Sequence, residues 1–227
     1  MFVVKFRKLL LIVLLSVAFL LTAICVPTAV KATSPKPAYT VVVDAGHGGI
    51  DGGVQGVNTG VYERELNLSI AYKVKAELEK AQINVVMTRT TSDGALDTML
   101  TQKQEDMEKR KKIILEASPD CVVSIHQNKY TQQSRRGAQA FFWGDSTLAD
   151  VLQAALNEKL NKVNTGRTFS ALKGDYYILR QTPYPSALVE CGFLSNPLDE
   201  ALLVTDEYQN KVAKVIADSI ISFLMSA

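Results

Sequence analysis

The chain has 227 residues, 47% hydrophobic and 21% charged, with 25 basic against 23 acidic side chains, which fits one ordinary globular domain plus an unusually apolar end. Residues 1–32 hold four of the basic side chains and no acid, so the rest carries 21 against 23 and is close to neutral. With no basic stripe and no interleaved aromatic patch, the composition excludes nucleic acid as a partner.

At the amino end Lys5, Arg7 and Lys8 precede an uncharged stretch from Leu9 to Val30 in which Ser16 and Thr22 are the polar residues of the core. This reads as an export signal over residues 1–32, with Val30-Lys31-Ala32 offered to a signal peptidase and a Pro-marked linker over residues 33–38. The run is close to the ~20 residues that span a bilayer, so an uncleaved membrane anchor with its basic end inside is the competing reading. Both place the domain over residues 39–227 outside the cytoplasmic membrane. Ile24 before Cys25 is too large for lipoprotein processing. Cys121 and Cys191, both in apolar runs, form no Cys-x-x-Cys pair and no disulfide framework.

From Tyr39 onward short β-branched runs alternate with longer amphipathic ones, the pattern of a single α/β domain. The predicted strands are Thr40–Asp44, Asn84–Thr88, Cys121–His126, Ala138–Trp143, Tyr176–Leu179 and Ala187–Glu190; the predicted helices are Leu66–Lys80, Asp106–Ala117, Thr147–Val163 and Tyr208–Leu224. Near-continuous apolar runs such as VVVDA and CVVSI predict about six strands in a mostly parallel sheet, flanked by helices on both faces. Ligands of such sheets gather at the carboxyl ends of the strands.

The first strand opens into VVVDAGHGGIDGG, where His47 sits among glycines that permit close backbone approach. The turn lacks the Walker lysine and the dinucleotide spacing. The other histidine, His126, follows the strand CVVSI, and there are just two in the chain. Either alone reads as an ordinary surface or core histidine. Together at strand ends they point to a metal, since two imidazoles and one carboxylate form a common three-ligand zinc set with a fourth position open. Glu63 and Glu65, just before the helix at Leu66, both offer that carboxylate, and both also read as acids favoured by a helix start. Spacing leaves the two open.

Ala187-Leu188-Val189-Glu190-Cys191-Gly192-Phe193 ends an apolar strand in an acid, Glu190, whose burial raises its proton affinity toward that of a general base. The competing nucleophile, Cys191, explains one histidine and leaves the other without a role.

DAGHGGIDGG, Glu63-Arg64-Glu65, Ser124-Ile125-His126-Gln127-Asn128 and VECGFLSN, with Arg136-Gly137-Ala138-Gln139 between the last two, resemble the motifs of the zinc-dependent N-acetylmuramoyl-L-alanine amidases of the Amidase_3 family. The resemblance runs from about Thr40 to the carboxyl end. It implies a mixed, mostly parallel sheet, Zn2+ held by His47, Glu63 and His126, and Glu190 as acid/base. It also implies hydrolysis of the amide between the lactyl group of N-acetylmuramic acid and L-alanine in peptidoglycan. Leu115 and Lys129 depart from the family's usual asparagine and alanine. A short catalytic domain without a wall-binding module is most similar to the germination-specific spore amidases, which implies a place in spore cortex and an accessory spore or envelope protein. The alternatives are a vegetative autolysin and, in another class, a non-catalytic peptidoglycan-binding protein.

Overall fold

The computed structural model describes residues 38–92 and 103–226. The expected export segment and all but the last residue of the expected linker lie outside the described residues, among which no helix is long and apolar enough to cross a membrane.

Six strands, β1 (Thr40–Ala45), β2 (Asn84–Met87), β3 (Cys121–Asn128), β4 (Gln139–Phe142), β5 (Leu172–Lys173) and β6 (Ser186–Phe193), form one sheet in the order β2-β1-β3-β6-β4-β5. The first four strands of that order run parallel; β4 is antiparallel to β6, and β5 runs with β4. The helices are α1 (Glu63–Lys80), α2 (Lys103–Ala117), α3 (Thr147–Leu156), α4 (Lys162–Thr165), α5 (Tyr177–Arg180), α6 (Pro197–Leu203) and α7 (Asp206–Ser226).

Strand alternation divides the molecule into two layers. Val41, Val43, Cys121, Val123, Ala187 and Val189 point to one side, where they pack with the apolar stripes of α1, α3 and α7. Ile70, Val74 and Leu78 of α1 are fully buried there, each roughly 1.5–3 kcal/mol better than exposed. Val42, Val122 and Leu188 point to the other side and pack with Ile114 of α2 and with Ile178 and Leu179 of α5. Asp44, Ser124, His126 and Glu190 share this second side, and the β3–β6 register sets His126 directly beside Glu190.

The predicted strand Tyr176–Leu179 is the short helix α5; Ile178 and Leu179 are both buried, and two consecutive buried residues suit a helical turn better than a strand with alternating faces. The sixth strand is instead Leu172–Lys173. His126 lies within β3, which runs on to Asn128 through an irregularity in pairing. The predicted helix over Thr147–Val163 passes through a π turn at Asn157–Asn161. This wider turn keeps Asn157 and Asn161 on the inner side, where Asn161 bonds both the N–H (2.7 Å) and the C=O (2.9 Å) of Ala138, and Asn157 does the same for Phe169 (3.0 and 2.6 Å). Helix α6, absent from the predicted set, begins on the N-cap Asn196, whose side chain accepts from Leu198 and Asp199 N–H, followed by Pro197.

Cys191 projects into the α1/α7 layer, and burial, with Glu190 as a lesser cause, pushes its thiol far above the ordinary range. Thiol alkylation of the folded protein is therefore expected to leave activity intact; inactivation matched to modification of Cys191 would revive the thiol mechanism.

Candidate metal centre

His47 follows β1 in the left-handed region (φ 59°), flanked by Gly48 (φ 138°) and Gly49 (φ 58°), a conformation that costs a non-glycine residue about 1–3 kcal/mol. Two buried guanidinium groups hold the turn. Arg110 Nη2 donates to His47 O (2.6 Å) and Nη1 to Ala45 O (2.8 Å), while Arg89 donates to Ala45 O (2.8 Å) and Gly46 O (3.0 Å). Arg110 is tied in turn to the buried Asp44 (2.6 Å), which also accepts from Thr88 (2.6 Å) and Ser124.

Glu63 is the first residue of α1 and lies on the same stripe as Leu66, Asn67, Ile70 and Val74, so it faces inward; Glu65 lies off that stripe and pairs with Arg64 and Ser92. The Glu63 carboxylate accepts N–H bonds from Val54 (3.0 Å), Gln127 (3.0 Å) and the Asn67 side chain (3.1 Å). Its two oxygens stand 3.2 Å from His47 Nε2 and 3.0 Å from His126 Nδ1. Burial opposes its ionisation, but the bonds to His126 and His47 outweigh burial and hold its pKa far below the usual range.

The donor atoms of His47, Glu63 and His126 lie within 4.8 Å of one another. Bonds of ~2.0–2.2 Å to one ion require such a cluster, and the 3.2 and 3.0 Å contacts, which fall on the two different Glu63 oxygens, put its carboxylate within reach of both imidazoles. Burial lowers the pKa of His47, yet Asp51, 2.9 Å from Nδ1, and Glu63 carry it up to about 9. A metal taking this site has to displace that proton.

Glu190 is 7% exposed and one of its carboxyl oxygens has no hydrogen-bond partner. Burial first, then repulsion from Glu63, pushes it up to about 7 against the pull of His126 and His47. The three donor residues and Glu190 line one cleft of about 460 Å³, walled by Tyr176, Ile178 and Leu188. The sequence-selected residues thus meet in one place, and a triplet fit for a metal ion faces a carboxyl group poised to exchange a proton near neutrality.

A profile of the Amidase_3 family, described as N-acetylmuramoyl-L-alanine amidase, matches residues 41–222. The chain belongs to this family. It is 34% identical over 198 residues to the germination-specific N-acetylmuramoyl-L-alanine amidase of Bacillus subtilis, covering 83% of this chain and 81% of that one. Among solved structures it resembles the Clostridioides difficile CwlD amidase in complex with the GerS lipoprotein (TM-score 0.76, 32% identity, 83% of this chain and 100% of that one). The AmiC2 amidase of Nostoc punctiforme is also similar (TM-score 0.72, 29% identity, 82% and 97%).

Several residues of this amidase that brace the site escaped the sequence reading: Asp44, Asn67, Arg89, Arg110 and Gln127. Asp44 carried a signal, an acid inside an apolar strand, the pattern that singled out Glu190. The second half of VECGFLSN is structural, since Ser195 accepts from Tyr130 N–H (3.0 Å) and Asn196 caps α6. Gly46 has no room for a side chain, because a Cβ there would stand 2.2 Å from His126 Nε2. Gly46→Ala is expected to fold but to bind metal at least about ten-fold more weakly; wild-type metal occupancy on dialysis against graded zinc would contradict this.

Proposed function

We propose that this amidase is an exported zinc enzyme that cleaves the bond between the lactyl carbonyl of N-acetylmuramic acid and the L-alanine nitrogen of peptidoglycan. His47, Glu63 and His126 hold the ion, and Glu190 is the acid/base. The observation that carries this reading is the unpartnered Glu190 oxygen in the same cleft as the donor triplet. Zinc, when bound, supplies Lewis acidity toward the scissile carbonyl. Glu190 takes a proton from the attacking water as the C–O bond forms, then delivers it to the L-alanine nitrogen as the C–N bond breaks, so one carboxyl serves both half-steps. Asn67, Val54 and Gln127 fix the Glu63 carboxylate, and the Arg110 and Arg89 bonds fix the His47 backbone, so the donors are aligned before substrate arrives.

We assign the spore cortex as the substrate wall, on the strength of the germination-specific relative and the CwlD likeness. Export or membrane attachment through residues 1–32, and an accessory envelope protein, belong to the same proposal. The test is digestion of cortex and vegetative peptidoglycan with the purified protein, with and without a chelator. Zinc-dependent release of intact stem peptides bearing free L-alanine amino ends is expected, faster from cortex. Shortened peptides still joined to muramic acid would mean a peptidase, and no release from either wall would leave a non-catalytic binder.

A further inference from the structure

A second cavity, of about 210 Å³, opens beside the catalytic cleft, and Asn128 at the end of β3 lines both. Its wall includes Gln139 and Phe141 of β4, which pair with Glu190 and Leu188 of β6 and so project from the same side of the sheet as the proposed base. Three guanidinium groups line it, from Arg135, Arg136 and Arg167. Arg136 is neutralised by Asp199 at 2.9 Å. Arg135 and Arg167 have no carboxylate partner among the described residues, and Arg135 is held over the Tyr130 ring, 4.6 Å from its centroid. Lys129, adjoining Asn128, is the one lysine or arginine lining the catalytic cleft among the described residues, and it too has no acidic partner there. Unpaired cations therefore run from one end of the cleft into the side cavity.

Arg135 and Arg167 are exposed at this aromatic-lined cavity, and unpaired guanidinium groups suit a carboxylate, which they bind through paired, charge-assisted hydrogen bonds. The rings are poorly placed to stack on a sugar: Phe141 meets Tyr176 edge-on (5.3 Å, 67°), and the Phe169 ring edge is packed against Gly137. In peptidoglycan the acetylated glycan is neutral and the free carboxylates belong to the stem peptide. We propose that this cavity is the subsite for a stem-peptide carboxylate, gripped by Arg135 and Arg167, which sets the direction in which the peptide leaves the scissile bond. The inference rests on the amidase reading.

The test uses the full chain with zinc and two soluble probes: N-acetylmuramoyl-L-Ala-γ-D-Glu-L-Lys, and the same compound with both peptide carboxylates made carboxamides. The wild type should show a KM about ten-fold lower for the acid form, and the double variant Arg135→Gln, Arg167→Gln should lose that difference. Equal KM values for the wild type, or a preference that survives in the double variant, overturn the subsite. Calorimetric titration of Glu190→Gln with the free tripeptide and its diamide reads the cavity without turnover. Arginine-dependent preference for the acid peptide, with neither probe cleaved by the wild type, would leave the subsite standing and sink the amidase reading; cleavage of both probes with no preference would do the reverse.

Discussion

Glu190→Gln is expected to lower kcat by roughly 10²–10⁴-fold, the range for removing a positioned general base, with zinc content unchanged. Glutamine keeps the size of the side chain but cannot carry the proton, and Glu190 stands outside the donor triplet. The sign of the pH dependence follows from the same residue. As the proposed base, Glu190 works in its ionised form, so kcat/KM should fall as the pH drops through its pKa. Without metal that value is about 7, raised by burial and Glu63; a nearby dication pulls it down, so the acid limb should lie below 7. Metal analysis beside the rate profile is decisive: a variant that keeps its zinc and its full rate would remove Glu190 from the reaction, and one that loses zinc would place it in the coordination shell.

Arg110→Leu should destabilise the fold by roughly 3–5 kcal/mol, because it leaves the Asp44 carboxylate buried without its counter-charge. In a domain of this size that lowers Tm by roughly ten degrees or more. Burial opposes ionisation of Asp44, and Arg110, with help from Ser124 and Thr88, overcomes it and holds the pKa at about 2. A carboxyl depressed on folding stabilises the fold above its unfolded pKa of about 3.9, and that share disappears as the pH falls toward 2. Without Arg110 burial raises the Asp44 pKa instead, so the variant's deficit against the wild type should shrink as the pH falls and Asp44 takes up a proton. The variant also frees the His47 carbonyl, so zinc affinity should drop with stability. Adding Asp44→Asn to Arg110→Leu should restore part of the lost Tm by removing the stranded charge. A single variant that melts with the wild type would show that the pair contributes nothing net.

The site was legible wherever a residue was out of character with its surroundings. Two histidines at strand ends and an acid closing an apolar strand stand out in any reading. Spacing leaves Glu63 and Glu65 open, since both acids suit a helix start, and the family resemblance chooses Glu63; the phase of α1 separates them by setting Glu63 on the buried stripe with Leu66, Asn67 and Ile70. Arg110 was hidden for the opposite reason. Lys109, Arg110, Lys111 and Lys112 read together as a solvated run, and only the helical phase shared with Ile114 turns Arg110 inward. That the sheet is mostly parallel follows from covered, β-branched runs joined by helices, whereas the order of its strands is seen only in the structure and the edge strand Leu172–Lys173 spans two residues and is set by its pairing with β4. The π turn answers to Ala138 and Phe169, distant contacts that no local pattern records.

The two-sidedness of β3 also limits how this gene can vary. Deleting one codon anywhere between Cys121 and Ser124 would swap the sides of everything downstream in the strand, sending the His126 imidazole into the oily layer under α1 and Gln127 out into the cleft. A substitution there alters one contact; a single-residue indel exchanges the reactive surface for the core. Length changes in descendants of this sequence should therefore collect in connections such as residues 166–171, where no side depends on odd or even count, and the strands should drift by replacement alone.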